Sequence, residues 1–258
     1  MITKNTVKLI QSLKQQKYRN EHRLFVVEGR KMVGELLSSP FDTVYLFATE
    51  RYLEEHPLLD PHLETVTEVQ MSQMSGQDTP PGILAVVRKP EHRSFGETSP
   101  EGDADPALEG MVLALDGIAN PGNMGTIIRT AEWFGVKRIV CSDDCVELWN
   151  PKVIQATMGS VFRMDIVYTD LVAYLREERT RGRAVYGALL EGENLFGKSR
   201  WDDGVIVIGS ESHGIRPAVL PLVTHPITIP RAAGSVTESL NASMAAGIIL
   251  AEMVRGNL

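Results

Sequence analysis

Six short apolar runs in the second half of the chain constrain its fold more than any other feature. Helical segments separate the runs MVLALD, RIVCS, MDIVYT, RAVYGALL, GVIVIG and HPITIP. Near-continuous apolar runs, in which polar and apolar residues do not alternate, are typical of strands that are covered on both faces. The pattern therefore predicts an α/β domain with a mostly parallel sheet between helices, in which ligands bind at the carboxyl ends of the strands.

Three predicted strand ends continue into loops rich in glycine or polar residues, over 116–126, 209–217 and 230–241. The first, with NPGNMGTIIRTAEWFG, looks like a dinucleotide-binding loop, because Asp116 ends a strand and Asp143 follows the loop by about twenty residues. However, Gly122 and Gly125 give only G-x-x-G where that fingerprint requires G-x-G-x-x-G. A P-loop is excluded as well, because no Gly-Lys-Ser/Thr follows. The glycine pattern therefore argues against a dinucleotide site.

The second and third loops are each open to two interpretations. Glu211, in GSESHG, could orient a substrate group, or its loop could be an ordinary turn in which Ser or Glu caps a helix. A lone loop histidine such as His213 is more often a surface residue. Ser239 and Asn241 precede a helix rich in alanine and glycine, where they could cap the helix or point at a ligand.

Taken together and in order, these loops resemble the three motifs of the SpoU (TrmH) family of RNA ribose methyltransferases, in the SPOUT superfamily. The resemblance rests on Asn120–Gly125 with Arg129, on GSESHG, and on IP…ESLNAS, and it covers about 111–258. The third motif departs from the common family pattern, because Arg231 replaces a methionine and two extra residues precede Ser239. This departure leaves the conformation of the third loop open.

The resemblance implies a C-terminal domain with a deep trefoil knot, whereas general topology rules predict no knot. It also implies that S-adenosylmethionine lies over the knot, held largely by backbone groups. By position these are Leu190, Gly209, Ile229 and Leu240. The resemblance further implies a homodimer, in which the arginine of the first motif reaches toward a site shared with the partner.

The resemblance implies catalytic roles for Asn120, Arg129, Glu211, Ser239 and Asn241. Arg129 is expected to hold an RNA phosphate in a forked grip and to keep the 2′-hydroxyl in line with the methyl group. A guanidinium very rarely gives up its proton, so a neighbouring acceptor or water is the better candidate for the base. The other four residues are expected to position the ribose and the arginine. No metal is required, because the leaving group is already a cationic sulfur.

The first part of the chain predicts a smaller α/β domain over 1–90, with helices in NTVKLIQSLKQQK and RKMVGELLSS and strands in RLFVVEG, TVYLFA and GILAVV. It resembles the ribosomal-protein-like substrate-binding domain that often precedes the methyltransferase domain. Residues 1–31 carry a net charge of +6 although the whole chain carries −7. This basic segment is either a solvated helix face or an RNA-binding surface. The candidate RNA contacts are Lys14, Lys17, Arg19, Arg23 and Arg30.

An acidic segment rich in proline and glycine, over 91–110, is expected to link the two domains, so that the second covers 111–258. Cys141 and Cys145 would close only a very small disulfide loop and have no nearby partners for a zinc site, so we expect reduced structural thiols. We find no apolar run long enough to span a membrane and no signal peptide. These features favour a cytoplasmic protein.

The sequence thus predicts an S-adenosylmethionine-dependent RNA 2′-O-methyltransferase that acts on ribosomal or transfer RNA. One alternative is a non-catalytic RNA-binding protein that keeps the knotted fold. The presence of Asn120, Arg129, Glu211 and Asn241 argues against it, because binding alone does not require all four. A second alternative, methylation of a base, is disfavoured by the set of motifs.

Overall fold

The computed structural model describes residues 2–90, 110–198 and 201–255. The chain divides into two compact units. The first unit consists of Met1–Glu91 with Glu147–Arg163, and the second of His92–Val146 with Met164–Leu258. The acidic linker predicted over 91–110 lies outside the described residues except for Gly110.

The first unit is built on a sheet of four strands in the described residues. These are β1 (Leu24–Glu28), β2 (Thr43–Thr49), β3 (Leu63–Val66) and β4 (Ile83–Arg88), in the order β1-β4-β2-β3. Strand β4 is antiparallel to both β1 and β2, whereas β2 and β3 are parallel. Strands β1, β2 and β4 are confirmed as predicted from their apolar runs. Strand β3 was not predicted, because half of its four residues are polar.

Five helices of this unit lie in the first 90 residues: α1 (Lys4–Ser12), α2 (Gln16–His22), α3 (Arg30–Leu37), α4 (Glu50–Glu55) and α5 (Glu68–Met74). The single helix predicted over NTVKLIQSLKQQK is wrong, because the chain forms two helices that meet near Leu13. The guanidinium of Arg19 donates to the carbonyl oxygens of Leu13 and Lys14, both at 2.9 Å. It thereby satisfies carbonyl groups that the end of α1 leaves without helical partners.

The second unit contains a parallel sheet, as predicted, with six strands among the residues that the structure describes. They are β5 (Val112–Asp116), β6 (Arg138–Cys141), β7 (Asp165–Tyr168), β8 (Ala184–Asn194), β9 (Gly204–Gly209) and β10 (His225–Thr228). Their order is β10-β8-β9-β5-β6-β7, and every neighbouring pair is parallel. All five residues of β5 are buried, which is why this run shows no polar alternation.

Helices cover this sheet: α6 (Pro121–Trp133), α8 (Leu171–Thr180) and α9 (Ala242–Val254) belong to the second unit. Tyr174 and Leu175 of α8 pack in one buried cluster with Val140 of β6 and Val207 of β9. No helix in the described ranges is long and apolar enough to span a bilayer.

One segment from the middle of the predicted second domain packs with the first unit instead. It is Glu147–Arg163, which includes α7 (Pro151–Thr157). Trp149 stacks on Phe25 of β1 with ring centroids 4.4 Å apart, and Phe162 contacts Phe41 edge-on at 5.3 Å. The domain predicted over 111–258 is thus interrupted at this segment, and no motif or change of composition in the sequence indicates the interruption.

A buried ion pair also holds this segment in the first unit. The Arg19 guanidinium donates from Nε (3.0 Å) and from Nη2 to Glu147 Oε2, and Lys89 Nζ lies 3.2 Å from Glu147 Oε1. The side chain of Arg19 is only 3% exposed. A charge this deeply buried requires its partner, because water cannot solvate it. Arg19 therefore has an internal role, which corrects its prediction as an RNA contact.

We expect Glu147→Gln to destabilise the protein by about 3–5 kcal/mol, because it leaves the Arg19 guanidinium buried without a counter-charge. The matched control is Glu55→Gln, which removes the carboxylate of the surface ion pair between Arg51 and Glu55. The side chains of these residues are 82% and 62% exposed, respectively. The effect of Glu55→Gln is expected to stay within about 0.5 kcal/mol. Urea unfolding followed by circular dichroism measures both. Equal effects would show that the buried pair adds nothing to stability.

Candidate functional site

Asn123 joins the three predicted motif loops of the second unit through its side chain. Its Nδ2 donates a hydrogen bond to Oε1 of Glu211, and its Oδ1 accepts one from Nδ2 of Asn241 at 3.0 Å. Glu211 follows β9 and Asn241 precedes α9, while Asn123 lies in the first turn of α6. The structure therefore brings together two of the predicted site residues through a third that was not predicted.

Asn120 caps a helix, a role that the sequence analysis did not assign to it. It is the N-cap of α6, and its Oδ1 accepts hydrogen bonds from the backbone N–H groups of Gly122 (2.8 Å) and Asn123 (3.1 Å). Such a cap satisfies two of the N–H groups that the start of a helix leaves unpaired. Sequence reasoning chose the capping asparagine of the loop and missed Asn123, because both occur in N-P-G-N and only the fold distinguishes them.

Arg129 lies on α6 about two turns beyond its start, as predicted, and is exposed. Its guanidinium forms no hydrogen bond or ion pair with another described residue. This distinguishes it from Arg216 in the same unit, whose guanidinium binds two carboxylates. An exposed guanidinium without a partner is available to bind an anion from outside the protein.

The second loop forms a tight turn that presents Glu211. Ser210 and Gly214 exchange two backbone hydrogen bonds of 3.1 and 2.9 Å across it. A Cβ atom on Gly209 would lie only 2.1 Å from the carbonyl carbon of Gly214, so the turn itself requires glycine at this position. His213 is exposed, as expected, and its Nδ1 lies 2.7 Å from the Ser212 hydroxyl.

In the third loop, Asn241 uses both ends of its amide. Its Oδ1 caps α9 by accepting from the N–H groups of Ser243 (3.0 Å) and Met244 (3.4 Å), while its Nδ2 binds Asn123. Ser239 is exposed and makes no side-chain hydrogen bond among the described residues. The unusual Arg231 braces the loop, because its Nη1 donates to the Thr237 carbonyl at 3.0 Å.

One of the predicted cofactor positions, Leu190, lies at a break in the pairing of β8 with β10. Tyr186 and Gly187 pair with one half of β10, and pairing resumes only at Glu193. Leu190 lies in the intervening stretch with its side chain exposed, and its carbonyl accepts the Thr228 hydroxyl at 3.0 Å. Of the other predicted positions, Leu240 is exposed, whereas Gly209 and Ile229 are half-buried.

Of the two cysteines, Cys141 and Cys145, the second supports the first loop from inside the protein. Both are buried and unpaired, as expected. The Sγ of Cys145 accepts the Ile118 N–H at 3.2 Å and lies 3.3 Å from the Leu115 carbonyl oxygen. A hydrogen bond from the Cys141 thiol lowers the pKa of Cys145 to about 7, whereas the same contact and burial raise the pKa of Cys141.

The predicted RNA contacts of the first unit fall into different environments. Lys14 donates to the Ser75 carbonyl at 2.8 Å, and the ammonium of Lys17 lies 5.6 Å from the centre of the Tyr18 ring. Arg23 is exposed and ends α2 with a left-handed backbone (φ 53°). Arg30 is also exposed and lies in the first turn of α3.

A cleft of about 560 Å³ lies along α3, lined by Arg30, Lys31, Gly34, Glu35 and Ser38. Its acidic member, Glu35, is already paired with the guanidinium of Arg163. No acidic side chain occupies the first turn of α3, where the helix dipole would favour one. Arg30 and Lys31 therefore give this cleft a positive charge that is not neutralised within the first turn of the helix.

Comparisons with known proteins agree with this geometry. Residues 110–251 match the SpoU rRNA Methylase family, and residues 4–85 match the MRM3-like substrate binding domain. The chain is 28% identical to the 23S rRNA (guanosine(2553)-2′-O)-methyltransferase RlmP of Bacillus subtilis, over 95% of this chain and 94% of that protein. It is 27% identical to the mitochondrial rRNA methyltransferase 3 of Xenopus laevis, over 96% of this chain and 73% of that protein.

Two solved structures are similar over nearly the whole chain. A TrmH-family protein from Porphyromonas gingivalis is 34% identical, with a TM-score of 0.85 over 99% of each chain. The AdoMet-bound rRNA methyltransferase from Sinorhizobium meliloti is 28% identical, with a TM-score of 0.82 over 100% of this chain and 97% of that one.

The two asparagines of the first loop should differ in what they do for stability. Asn120→Ala is expected to lower the free energy of unfolding by about 1 kcal/mol, because α6 loses its N-cap. Asn123→Ala should change it by no more than about 0.5 kcal/mol, because its side-chain bonds are exposed. Chemical denaturation of both variants makes the comparison. The assignment is wrong if Asn123→Ala proves the more destabilising of the two.

Proposed function

We propose roles in the reaction for individual residues of this chain, which belongs to the SpoU rRNA Methylase family. The protein is an RNA methyltransferase that moves a methyl group from S-adenosylmethionine to a ribose 2′-hydroxyl of ribosomal or transfer RNA. The observation that carries the proposal is the contact of Asn123 with both Glu211 and Asn241, which unites the three motif loops.

The carboxyl-terminal parts of β8 and β9 and the loop after β10 are the proposed cofactor site, with Leu190, Gly209, Ile229 and Leu240 as its members. The residues fit such a ligand, because the exposed apolar side chains of Leu190 and Leu240 offer a surface for the adenine ring and the interrupted strand leaves backbone groups outside the ladder. S-adenosylmethionine supplies a methyl group already activated on a cationic sulfur. The protein's own task is therefore to position the RNA and to let the hydroxyl proton leave.

Arg129 is the proposed phosphate anchor. Its guanidinium is exposed and has no partner in the part of the chain that the structure describes, so an RNA phosphate can take both of its parallel N–H donors. This grip would fix the ribose next to the phosphate and keep the 2′-hydroxyl in line for attack. Glu211, Ser239 and Asn241 would orient the ribose. Asn123 would hold Glu211 and Asn241 in place through its two side-chain hydrogen bonds. The proton would pass to a neighbouring acceptor or water.

The first unit is the proposed source of RNA affinity, through the cleft along α3. Arg30 and Lys31 are exposed there, and Glu35 of the same cleft is engaged by Arg163. Lys17 and Arg23, both exposed, extend the basic surface proposed for this unit. One N–H donor of the Lys14 ammonium binds the Ser75 carbonyl, and the remaining donors are available to RNA. Such cations bind the phosphate backbone and release counterions from it.

We also propose a homodimer of the second unit and a knot in its chain. The exposed Trp133 on α6 and Met244 on α9 support the dimer, because these two helices pack together and carry large apolar side chains that no described residue covers. The register break between β8 and β10 supports an irregular chain path there. The two buried, unpaired cysteines support a reducing compartment such as the cytoplasm.

Arg129→Ala should reduce methyl transfer by roughly a hundredfold or more, because a positioning and charge-stabilising contact is lost. Affinity for S-adenosylmethionine should stay within a few-fold, because the proposed cofactor residues lie in other loops. Arg129→Lys should recover only part of the rate, because an ammonium cannot hold a phosphate in a fork. The measurements are single-turnover transfer of labelled methyl to ribosomal RNA and calorimetry with the cofactor.

Arg176→Ala is the matched control, since Arg176 is likewise an exposed helical arginine, on α8. It should transfer methyl groups at the normal rate. A normal transfer rate for Arg129→Ala would refute its role as the phosphate anchor. A loss of cofactor binding in that variant would mean that the first motif loop belongs to the cofactor site. A wild-type protein that binds RNA and cofactor without any transfer would support the non-catalytic alternative.

Reversing one charge in the α3 cleft should weaken RNA binding and make it less dependent on salt. For Arg30→Glu, the slope of log affinity against log salt should become shallower by about 0.7–0.9 for each phosphate contact that is lost. The control Arg51→Glu reverses an exposed charge on α4 of the same unit. Fluorescence anisotropy with a ribosomal RNA fragment gives both slopes. If the two variants have the same slope, the cleft is not an RNA-binding surface.

A further inference from the structure

Arg216 ties the ends of two neighbouring strands together beneath the motif loops. Asp116 is the last residue of β5, is fully buried, and pairs in register with Gly209, the last residue of β9. Its carboxylate accepts two hydrogen bonds from Arg216: Oδ2 accepts the backbone N–H at 2.7 Å, and Oδ1 accepts the side-chain Nε at 2.5 Å. A buried carboxylate requires such donors, because it has lost its water.

The position of Arg216 in the chain gives this contact its significance. The turn Ser210–Gly214, which presents Glu211, begins directly after β9, and Arg216 follows that turn by two residues. The entrance of the turn is thus fixed by the pairing of Gly209 with Asp116, and its exit by the bonds of Arg216 to the same Asp116. The first motif loop starts at the residue after Asp116. A single buried residue, Asp116, therefore lies at the start of the first loop and holds both ends of the Glu211 turn, one through its backbone pairing and the other through its carboxylate.

A second set of bonds extends the contact to β6. Arg216 Nη1 donates to Asp144 Oδ2 at 3.3 Å, and Asp144 Oδ1 accepts the Ser142 hydroxyl at 2.5 Å. The Ser142 Oγ in turn accepts the backbone N–H of Gly117 at 2.9 Å. Gly117 has φ +72°, and a Cβ atom there would lie 3.4 Å from the Asp144 carboxylate. The bonds therefore form a closed path around the first residue of the first loop.

From this geometry we propose that Arg216 is a positioning residue for methyl transfer, which acts through Asp116 to hold Glu211 against Asn123. The proposal rests on the function proposed for Glu211 and Asn123 above. Loss of the Arg216 side chain removes its bonds to Asp116 Oδ1 and Asp144 and loosens the exit of the Glu211 turn, which the backbone bond to Asp116 then holds alone. Small displacements of groups that orient a substrate are costly, since about 1 Å can reduce a rate a hundredfold.

The test is a double-mutant cycle between Arg216→Ala and Glu211→Ala, with single-turnover methyl transfer to ribosomal RNA as the readout. If Arg216 acts through Glu211, Arg216→Ala lowers the transfer rate about 10- to 100-fold, and the double variant is no slower than Glu211→Ala alone. Affinity for S-adenosylmethionine and for RNA should stay within about threefold. Arg216→Lys should recover part of the rate, because an ammonium can reach one of the two carboxylates but cannot fork between them.

Arg181→Ala is the structural control. The Arg181 side chain is 38% exposed, against 40% for Arg216, and it also binds two carboxylates, but it ends α8 rather than a motif loop. It should leave the transfer rate unchanged even if it lowers stability. All rates are measured well below each variant's unfolding midpoint, and Arg216→Lys replaces Arg216→Ala in the cycle if the alanine variant does not fold.

Three results would overturn the proposal. Additive effects in the cycle would mean that Arg216 and Glu211 act independently. Weaker RNA binding at an unchanged rate would make Arg216 a direct RNA contact. A normal transfer rate for Arg216→Ala, together with a slow rate for Glu211→Ala, would refute the role of Arg216 but not the function proposed for the site. A normal rate for Glu211→Ala, by contrast, would refute the function proposed for the site itself.

Discussion

A parallel sheet brings the last residue of every strand to the same edge, and the site of this protein depends on that constraint. Asp116 and Gly209 end neighbouring strands in the same register, so the loops that follow them start side by side. Because β5 and β9 are covered by helices and buried, their positions cannot shift without disrupting the core. The loops inherit this rigidity only at their first residues. Hydrogen bonds within and between the loops must fix the rest.

The bonds within the loops follow a common design, in which one amide or carboxylate serves two elements. Asn241 caps α9 with its oxygen and binds Asn123 with its nitrogen, so the start of one helix is held to the start of another. Asp116 accepts from the backbone and from the side chain of the same arginine. A group that made only one of the two contacts of Asn241 would leave either α9 without its cap or Asn123 without this partner. The polar character of the loops is therefore as much structural as it is chemical.

Strands with continuous burial were predictable from the sequence, as were the three loops at their ends, because hydrophobicity and glycine leave strong local signals. What the sequence could not supply was the partner of each polar side chain. Asn120 and Asn123 occur three residues apart in one loop, and which of them caps the helix depends on where the helix starts. Likewise Arg19 is one of eight basic residues in the first 31, and only the fold shows that it is buried against Glu147.

The same limit applies to the segment Glu147–Arg163, and it changes what a domain of this protein is. The segment lies between β6 and β7 in the chain, yet its aromatic residues pack on the sheet of the first unit. A fragment that starts at residue 111 would therefore contain Trp149 and Phe162 without Phe25 and Phe41, the rings that they contact. It would also carry Glu147 without Arg19. Burial of large aromatic side chains is a major source of stability, so the two units defined by packing are better starting points for experiments than the two halves defined by sequence.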